Sequence, residues 1–190
     1  AWTSYSAKAA YGDVEKHELY AVHESGGKVF FGGQETDLQI LDPVSGRISV
    51  VKLAPAAYVT IFRIQEDQHG ILWIGTRYHG LFSYEPNSGK TVHYDLSNKG
   101  ENAVTGICRA GEQVFAAYYN HDLIRLLPQK KRIEQRNILS IGRNVAHYDN
   151  NIADVSFFSE ENKILAAHSG GKLYSYDLYH KEVVEIPWNR

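Results

Sequence analysis

The sequence is poor in the residues that fix a small protein covalently or carry it into a bilayer. It has no methionine and a single cysteine, Cys108, in 190 residues, which excludes an internal disulfide framework. Cys108 follows Ile107 in an apolar run and reads as a small buried hydrophobe rather than a nucleophile. No apolar run reaches 18 residues, so no helical membrane span and no direct membrane insertion are expected. Neither sign of charge dominates: Lys+Arg 20 stands against Asp+Glu 22, a formal net charge of −2. No global field therefore favours nucleic acid or an anionic membrane. Lys130-Lys131-Arg132 is the one basic cluster, and it falls where a hairpin turn is expected, so no nucleic-acid partner is predicted. No signal peptide is visible. A translated gene starts with Met and this chain does not, so it is expected to be a piece of something longer.

Catalytic motifs are missing as well. There is no G-x-S-x-G, no Walker sequence and no H-E-x-x-H. The expectation is a non-enzyme with no catalytic residue, no metal and no cofactor.

What the chain does have is repetition, the first property to test in any sequence. Gly32 follows Val29-Phe30-Phe31, and Gly75 follows Leu72-Trp73-Ile74, 43 residues later. The turn Asp42-Pro43-Val44-Ser45-Gly46 matches Glu85-Pro86-Asn87-Ser88-Gly89 at the same offset. A third copy carries Val114-Phe115-Ala116-Ala117 and Leu127-Pro128. A fourth carries Ile164-Leu165-Ala166-Ala167 and Leu173-Tyr174-Ser175-Tyr176, with extra residues in the polar stretch Ser140 to Asn150. Repeat bounds are read as about 16–58, 59–103, 104–150 and 151–188 within a unit 15–190.

Each copy contains four short strand signals, A to D, separated by turns. In the second they are Val59 to Gln65, Ile71 to Thr76, Gly80 to Tyr84 and Thr91 to Tyr94. Strand B is apolar on both faces, as a strand packed between two neighbouring sheets should be. Strand D alternates Val92 and Tyr94 with Thr91 and His93, the pattern of a half-exposed outer strand. Helical periodicity is weak throughout. The class is all-β, and a 42- to 50-residue period with four strands per unit predicts a β-propeller of four-stranded antiparallel blades.

Strand B ends in small residues in every copy (Gly32-Gly33, Gly75, Ala116-Ala117, Ala166-Ala167), which would let backbones approach closely between blades. Gly46 and Gly89 are expected at positive φ in the C–D turns, whereas Lys130-Lys131 and Tyr179-His180 in the other copies predict different turns there. Residues 1–14 read as a surface arm or as strand D of a preceding blade, since Trp2-Thr3-Ser4-Tyr5 is similar to Thr91-Val92-His93-Tyr94. Five D-like strands for four A strands favour an arc of a larger propeller over a closed ring of four.

The run Glu66-Asp67-Gln68-His69-Gly70-Ile71-Leu72-Trp73-Ile74-Gly75-Thr76, followed by Gly80-Leu81 and Tyr84-Glu85-Pro86, resembles the two-component regulator propeller repeat. The other copies are degenerate versions: Phe30-Phe31-Gly32-Gly33 replaces the Trp-Ile-Gly-Thr run in the first, and the third and fourth lack both its tryptophan and its glycine. The resemblance implies a periplasmic or extracellular sensor segment of a membrane-anchored bacterial signalling protein. It implies as partners a small polar ligand such as a saccharide and the rest of that parent, with a homodimer as a further option.

In an A-B-C-D blade the B–C and D–A loops share one face, the usual ligand face of propellers. The B–C loops are Gln34 to Asp37, Arg77 to His79, Tyr118 to Asp122 and His168 to Gly170. The D–A loops include Asn98 to Glu101 and Arg143 to Asp149. Their mixture of Tyr, His, Asn, Asp and Arg suits a polar ligand stacked on rings. The candidate ligand contacts are Arg77, Tyr78, His79, Tyr119, Asn120, His121, Asp122 and His168. A face-histidine lyase or hydrolase using His79, His121 and His168 is the sharper alternative. Against it, packed sheets lie about 10 Å apart and zinc needs nitrogens at roughly 2 Å. A protein-interaction scaffold is the third reading. On the opposite face, adjacent Glu66 and Asp67 should point to opposite sides, with Asp67 bonding its own turn and Trp73 packing between blades.

Overall fold

The computed structural model describes residues 18–54, 59–94, 103–119, 123–128, 132–135, 138–139 and 151–187. They form sixteen strands in four sheets, each a simple antiparallel meander. Blade 1 contains β1 (Leu19–Ser25), β2 (Lys28–Gly33), β3 (Leu38–Asp42) and β4 (Arg47–Val51). Blade 2 contains β5 (Ile61–Glu66), β6 (Leu72–Thr76), β7 (Leu81–Glu85) and β8 (Lys90–Tyr94). Blade 3 contains β9 (Val104–Ala110), β10 (Gln113–Tyr118), β11 (Leu123–Leu127) and β12 (Arg132–Gln135). Blade 4 contains β13 (Ile152–Phe158), β14 (Lys163–His168), β15 (Lys172–Asp177) and β16 (Val183–Ile186). The fold is a β-propeller arrangement. The segment 1–14, the two D–A loops named above and the Lys130-Lys131 turn lie outside the described residues.

Burial follows strand position. Every residue of β6 is buried, because its two faces pack against different neighbours. Outer strand β8 is buried only at Tyr94, half-buried at Thr91 and Val92, and exposed at Lys90 and His93. Three apolar clusters fill the gaps between successive blades. Phe30, Leu38, Ile61 and Ile74 join blades 1 and 2; Trp73, Tyr94, Val104 and Val114 join blades 2 and 3; Phe115, Ile152, Ile164 and Tyr176 join blades 3 and 4. Among the described residues no such cluster joins blade 4 to blade 1. Cys108 lies in the last of these clusters, where burial pushes its thiol up to about 12. It is inert packing, as its apolar neighbours predict.

The small residues at the ends of the B strands have a specific use. Each first strand opens with an apolar knob: Leu19, Ile61, Val104 and Ile152, paired in identical register with Gly33, Thr76, Tyr118 and His168. The knob of one blade presses on the small residue of the blade before it. A Cβ on Gly32 would stand 2.6 Å from Ile61 Cδ1, and one on Gly75 would stand 2.7 Å from Val104 Cγ1. Ala117 and Ile152 share a cluster. Two members of the series lie open among the described residues: Ala167 and Leu19 are both exposed.

Two turns behave as the glycines predict, with Gly46 at φ 71° and Gly89 at φ 70°. The fourth turn does not differ, contrary to the sequence-based expectation. Lys181 occupies the same left-handed position at φ 63° and donates its N–H to Asp177 O at 2.9 Å, as Gly46 does to Asp42 O at 2.8 Å. The reason lies in Asp177, whose carboxylate accepts the N–H groups of Tyr179 and His180, both at 2.8 Å. Asp42 does the same for Val44 and Ser45. The aspartate sets the turn, and the left-handed residue follows.

Candidate functional site

The first strand of every blade is interrupted one residue after its knob. The register slips between Leu19 and Ala21, Ile61 and Arg63, Val104 and Gly106, and Ile152 and Asp154. The extra residues of these β-bulges are Tyr20, Phe62, Thr105 and Ala153, and a bulge re-aims the side chain it carries. All four line one hollow of about 530 Å³ together with Leu19 and Arg63, so the hollow lies where the four first strands converge. Nothing in the alternation of these strands marks the bulges, and sequence reasoning missed Tyr20 and Phe62 for that reason.

Beside this hollow, and sharing Phe62 and Thr105 with it, is a cleft of about 480 Å³ between blades 2 and 3. Its remaining walls are Arg77, Tyr78, Ala103 and Tyr119. Arg77, Tyr78 and Tyr119 were candidate contacts on loop position alone, and the structure brings them together. The Arg77 guanidinium lies 5.0 Å from the centre of the Tyr78 ring. Tyr20 meets Phe62 edge-on with centroids 5.7 Å apart. The Tyr20 hydroxyl donates to Glu18 at 2.7 Å, a bond that raises the phenol's pKa above its ordinary value.

The loop that carries Arg77 and Tyr78 is tightly held. Thr76 donates both its backbone N–H (3.0 Å) and its hydroxyl (2.7 Å) to Gly80 O, and its hydroxyl oxygen accepts the His79 N–H at 3.0 Å. Gly80 supplies the left-handed turn at φ 69°. His93 stacks on Phe82 at 4.5 Å and donates from Nε2 to His79 O at 2.7 Å, a bond that fixes the His93 tautomer since a carbonyl only accepts. These bonds present Arg77 and Tyr78, both exposed, on a rigid base.

His79 and His168 are not among the described walls of the cleft. His79 is half-buried, with Nδ1 enclosed. His168 is a buried residue at the end of β14, edge-on to Tyr174 at 5.9 Å, and its Nδ1 accepts the Gly170 N–H at 3.1 Å. Asn120, His121 and Asp122 lie outside the described residues. Among the described residues no group of three His, Cys, Asp or Glu side chains is placed to hold a metal.

On the opposite face Glu66 and Asp67 diverge, as neighbours on a strand end should. Glu66 reaches across to blade 1, to His23 at 3.0 Å and Ser25 at 2.8 Å, and the His23 contact leads in lowering its pKa. Asp67 turns inward, accepting the His69 and Ile71 N–H groups on Oδ1 and Trp73 Nε1–H at 2.9 Å on Oδ2. One buried carboxylate remains apart from both sets. Asp37 is fully buried at φ 53°, where blade 2 has Gly80, and burial leads in raising its pKa.

No family model and no curated protein matches the sequence. Solved structures match it at the level of fold. The extracellular domain of BT4673 from B. thetaiotaomicron, described as part of a hybrid two-component system, superposes with a TM-score of 0.70 at 18% identity, over 90% of this chain and 22% of that one. The extracellular domain of BT3049 from the same organism, of the same description, gives 0.67 at 15% identity, over 89% and 24%. U3-55K gives 0.69 at 12% identity, over 90% and 52%. The chain thus spans about a quarter or less of the two extracellular domains it resembles, and what it shares with all three is the β-propeller fold.

Proposed function

We propose that this chain is a non-enzymatic recognition segment of a sensory propeller, carried on the extracellular or periplasmic side of a bacterial signalling protein. It binds a small polar ligand with a flat ring face, of the saccharide type, between blades 2 and 3. The observation that carries this reading is the convergence of Arg77, Tyr78, Tyr119 and Phe62 on one cleft, with Arg77 and Tyr78 held by a braced loop. Aromatic rings offer stacking area at little entropic cost, and a rigid loop spares the ligand the ordering penalty of binding. Two extracellular domains of two-component systems share the fold, which agrees with the proposed setting.

The test is calorimetric titration of a saccharide panel, repeated on Tyr78→Ala and Tyr119→Ala. Each lost ring should weaken binding by about three- to tenfold, the equivalent of one aromatic contact. Binding that survives both substitutions unchanged would remove the cleft from consideration.

A further inference from the structure

We infer that the ligand of this cleft carries an anionic group, a carboxylate or sulfate borne on a sugar ring, and that Arg77 selects it. The inference rests on the reading of the cleft as the recognition site and names the chemistry that site prefers.

The first argument comes from comparing the four blades with each other. Gln34, Arg77, Tyr119 and Ser169 each follow the last residue of a B strand. Each donates its backbone N–H to the carbonyl just ahead of its blade's first strand: Glu18 O at 2.8 Å, Thr60 O at 2.9 Å, Ala103 O at 2.8 Å and Asn151 O at 2.8 Å. The main chain at this position therefore does the same structural work in every blade. The side chain takes no part in this bond, and four different residue types occupy the position. Only Arg77 of the four is charged.

The second argument is the state of the charges around the cleft. Arg63 faces the adjoining hollow, but it is committed: one amino group stands 3.6 Å from Asp154 and the other donates to Phe62 O at 3.0 Å. Glu18 is engaged by the Tyr20 hydroxyl. Among the described residues Arg77 has no carboxylate partner, and its contact is the Tyr78 ring. Among the described residues the cleft is thus a set of ring faces with one cation free of any carboxylate and no carboxylate in its walls. A guanidinium resting on a ring keeps its fork free for two parallel bonds to a planar or tetrahedral oxyanion. A sugar whose C–H face lies on Tyr78 or Tyr119 would bring a substituent carboxylate or sulfate to that fork.

The experiment titrates the intact chain with three probes: an oligogalacturonate, a sulfated malto-oligosaccharide and neutral maltohexaose, each at low and moderate salt. The acidic probes should bind at least about tenfold tighter than the neutral one, with a preference that shrinks as salt rises. Whichever acidic probe binds tighter identifies the oxyanion. Arg77→Gln places in blade 2 the residue blade 1 already uses. It should abolish the acidic preference while leaving the unfolding midpoint unchanged. Persistence of the preference in Arg77→Gln overturns the inference. Equal binding of neutral and acidic probes, weakened by Tyr78→Ala, also overturns it but leaves the cleft as the site. Absence of binding by any of the three removes both.

Discussion

Replacing Trp73 by Phe tests whether a single indole–carboxylate bond holds a blade's turn to its core. Trp73 is 1% exposed and Asp67 4% exposed, and their bond is 2.9 Å long. The substitution deletes the donor but keeps a ring against Tyr94, now 5.2 Å from the indole. A hydrogen bond to a buried charged acceptor contributes about 1.5–3 kcal/mol, and the space left by the smaller ring adds about 1–2 kcal/mol. The expected loss is therefore about 3–5 kcal/mol, a large share of the roughly 5–15 kcal/mol by which a typical domain is stable. At about 2–4 °C per kcal/mol for a chain of this size, the midpoint should fall by about 6–20 °C. Asp67→Ala removes the same bond plus the two from His69 and Ile71. In a double-mutant cycle followed by far-UV circular dichroism in urea, the pair should therefore cost about 1.5–3 kcal/mol less than the sum of the singles. Additivity to within about 0.5 kcal/mol would show that the shared bond does not stabilise the fold, and the reasoning would be wrong.

Gly75→Ala drives a methyl to 2.7 Å from Val104 and should cost about 1–3 kcal/mol, whereas Ala167→Val at the equivalent exposed position should stay within about 0.5 kcal/mol; thermal melts of the two side by side decide this. Lys181→Gly should raise stability by about 1 kcal/mol, since glycine adopts the left-handed turn without strain, and a lowered melting point would refute that account. The raised pKa of Asp37 makes the folded state bind protons more tightly than the unfolded chain. Its contribution to stability is therefore present at low pH and is lost as pH climbs above 3.8 through the folded value. Asp37→Asn should flatten that part of the stability–pH profile in chemical denaturation, and a profile unchanged in slope would show that Asp37 is not its source.

Much of the architecture is legible in the chain because it depends on local chemistry repeated four times. The apolar run of β6 and the Asp-to-Gly turn each place a strand end within a residue or two, and the second copy spells out the rest. Asp67 and Trp73 were readable for the same reason: a carboxylate at a turn seeks its own N–H groups. The fourth C–D turn was misread because glycine was taken as the cause. Lys181 shows that Asp177 is, and a side chain that organises a turn leaves a fainter trace than a glycine. Half of the site was legible through equivalence between copies, which put Arg77 and Tyr119 at the same loop position. Phe62 and Tyr20 were not, because a bulge exists only in the register between two paired strands and leaves no mark in the alternation of one. His168 was misassigned to a loop because one residue separates a buried strand end from an exposed turn, a distinction that pairing with Ile152 decides.

The unmatched ends of the knob series set the order in which this molecule comes apart. Blades 2 and 3 each press against two neighbours, whereas blades 1 and 4 each have one interface of this kind among the described residues. In the isolated chain, blades coupled through these three interfaces alone should open first at blades 1 and 4, with opening travelling inward. Ala167, Val184 and the strands around them should exchange their amide hydrogens first, and the cleft between blades 2 and 3 last. The recognition site thus sits at the interface that outlives the others, and it can keep its shape while the edge of the arc breathes.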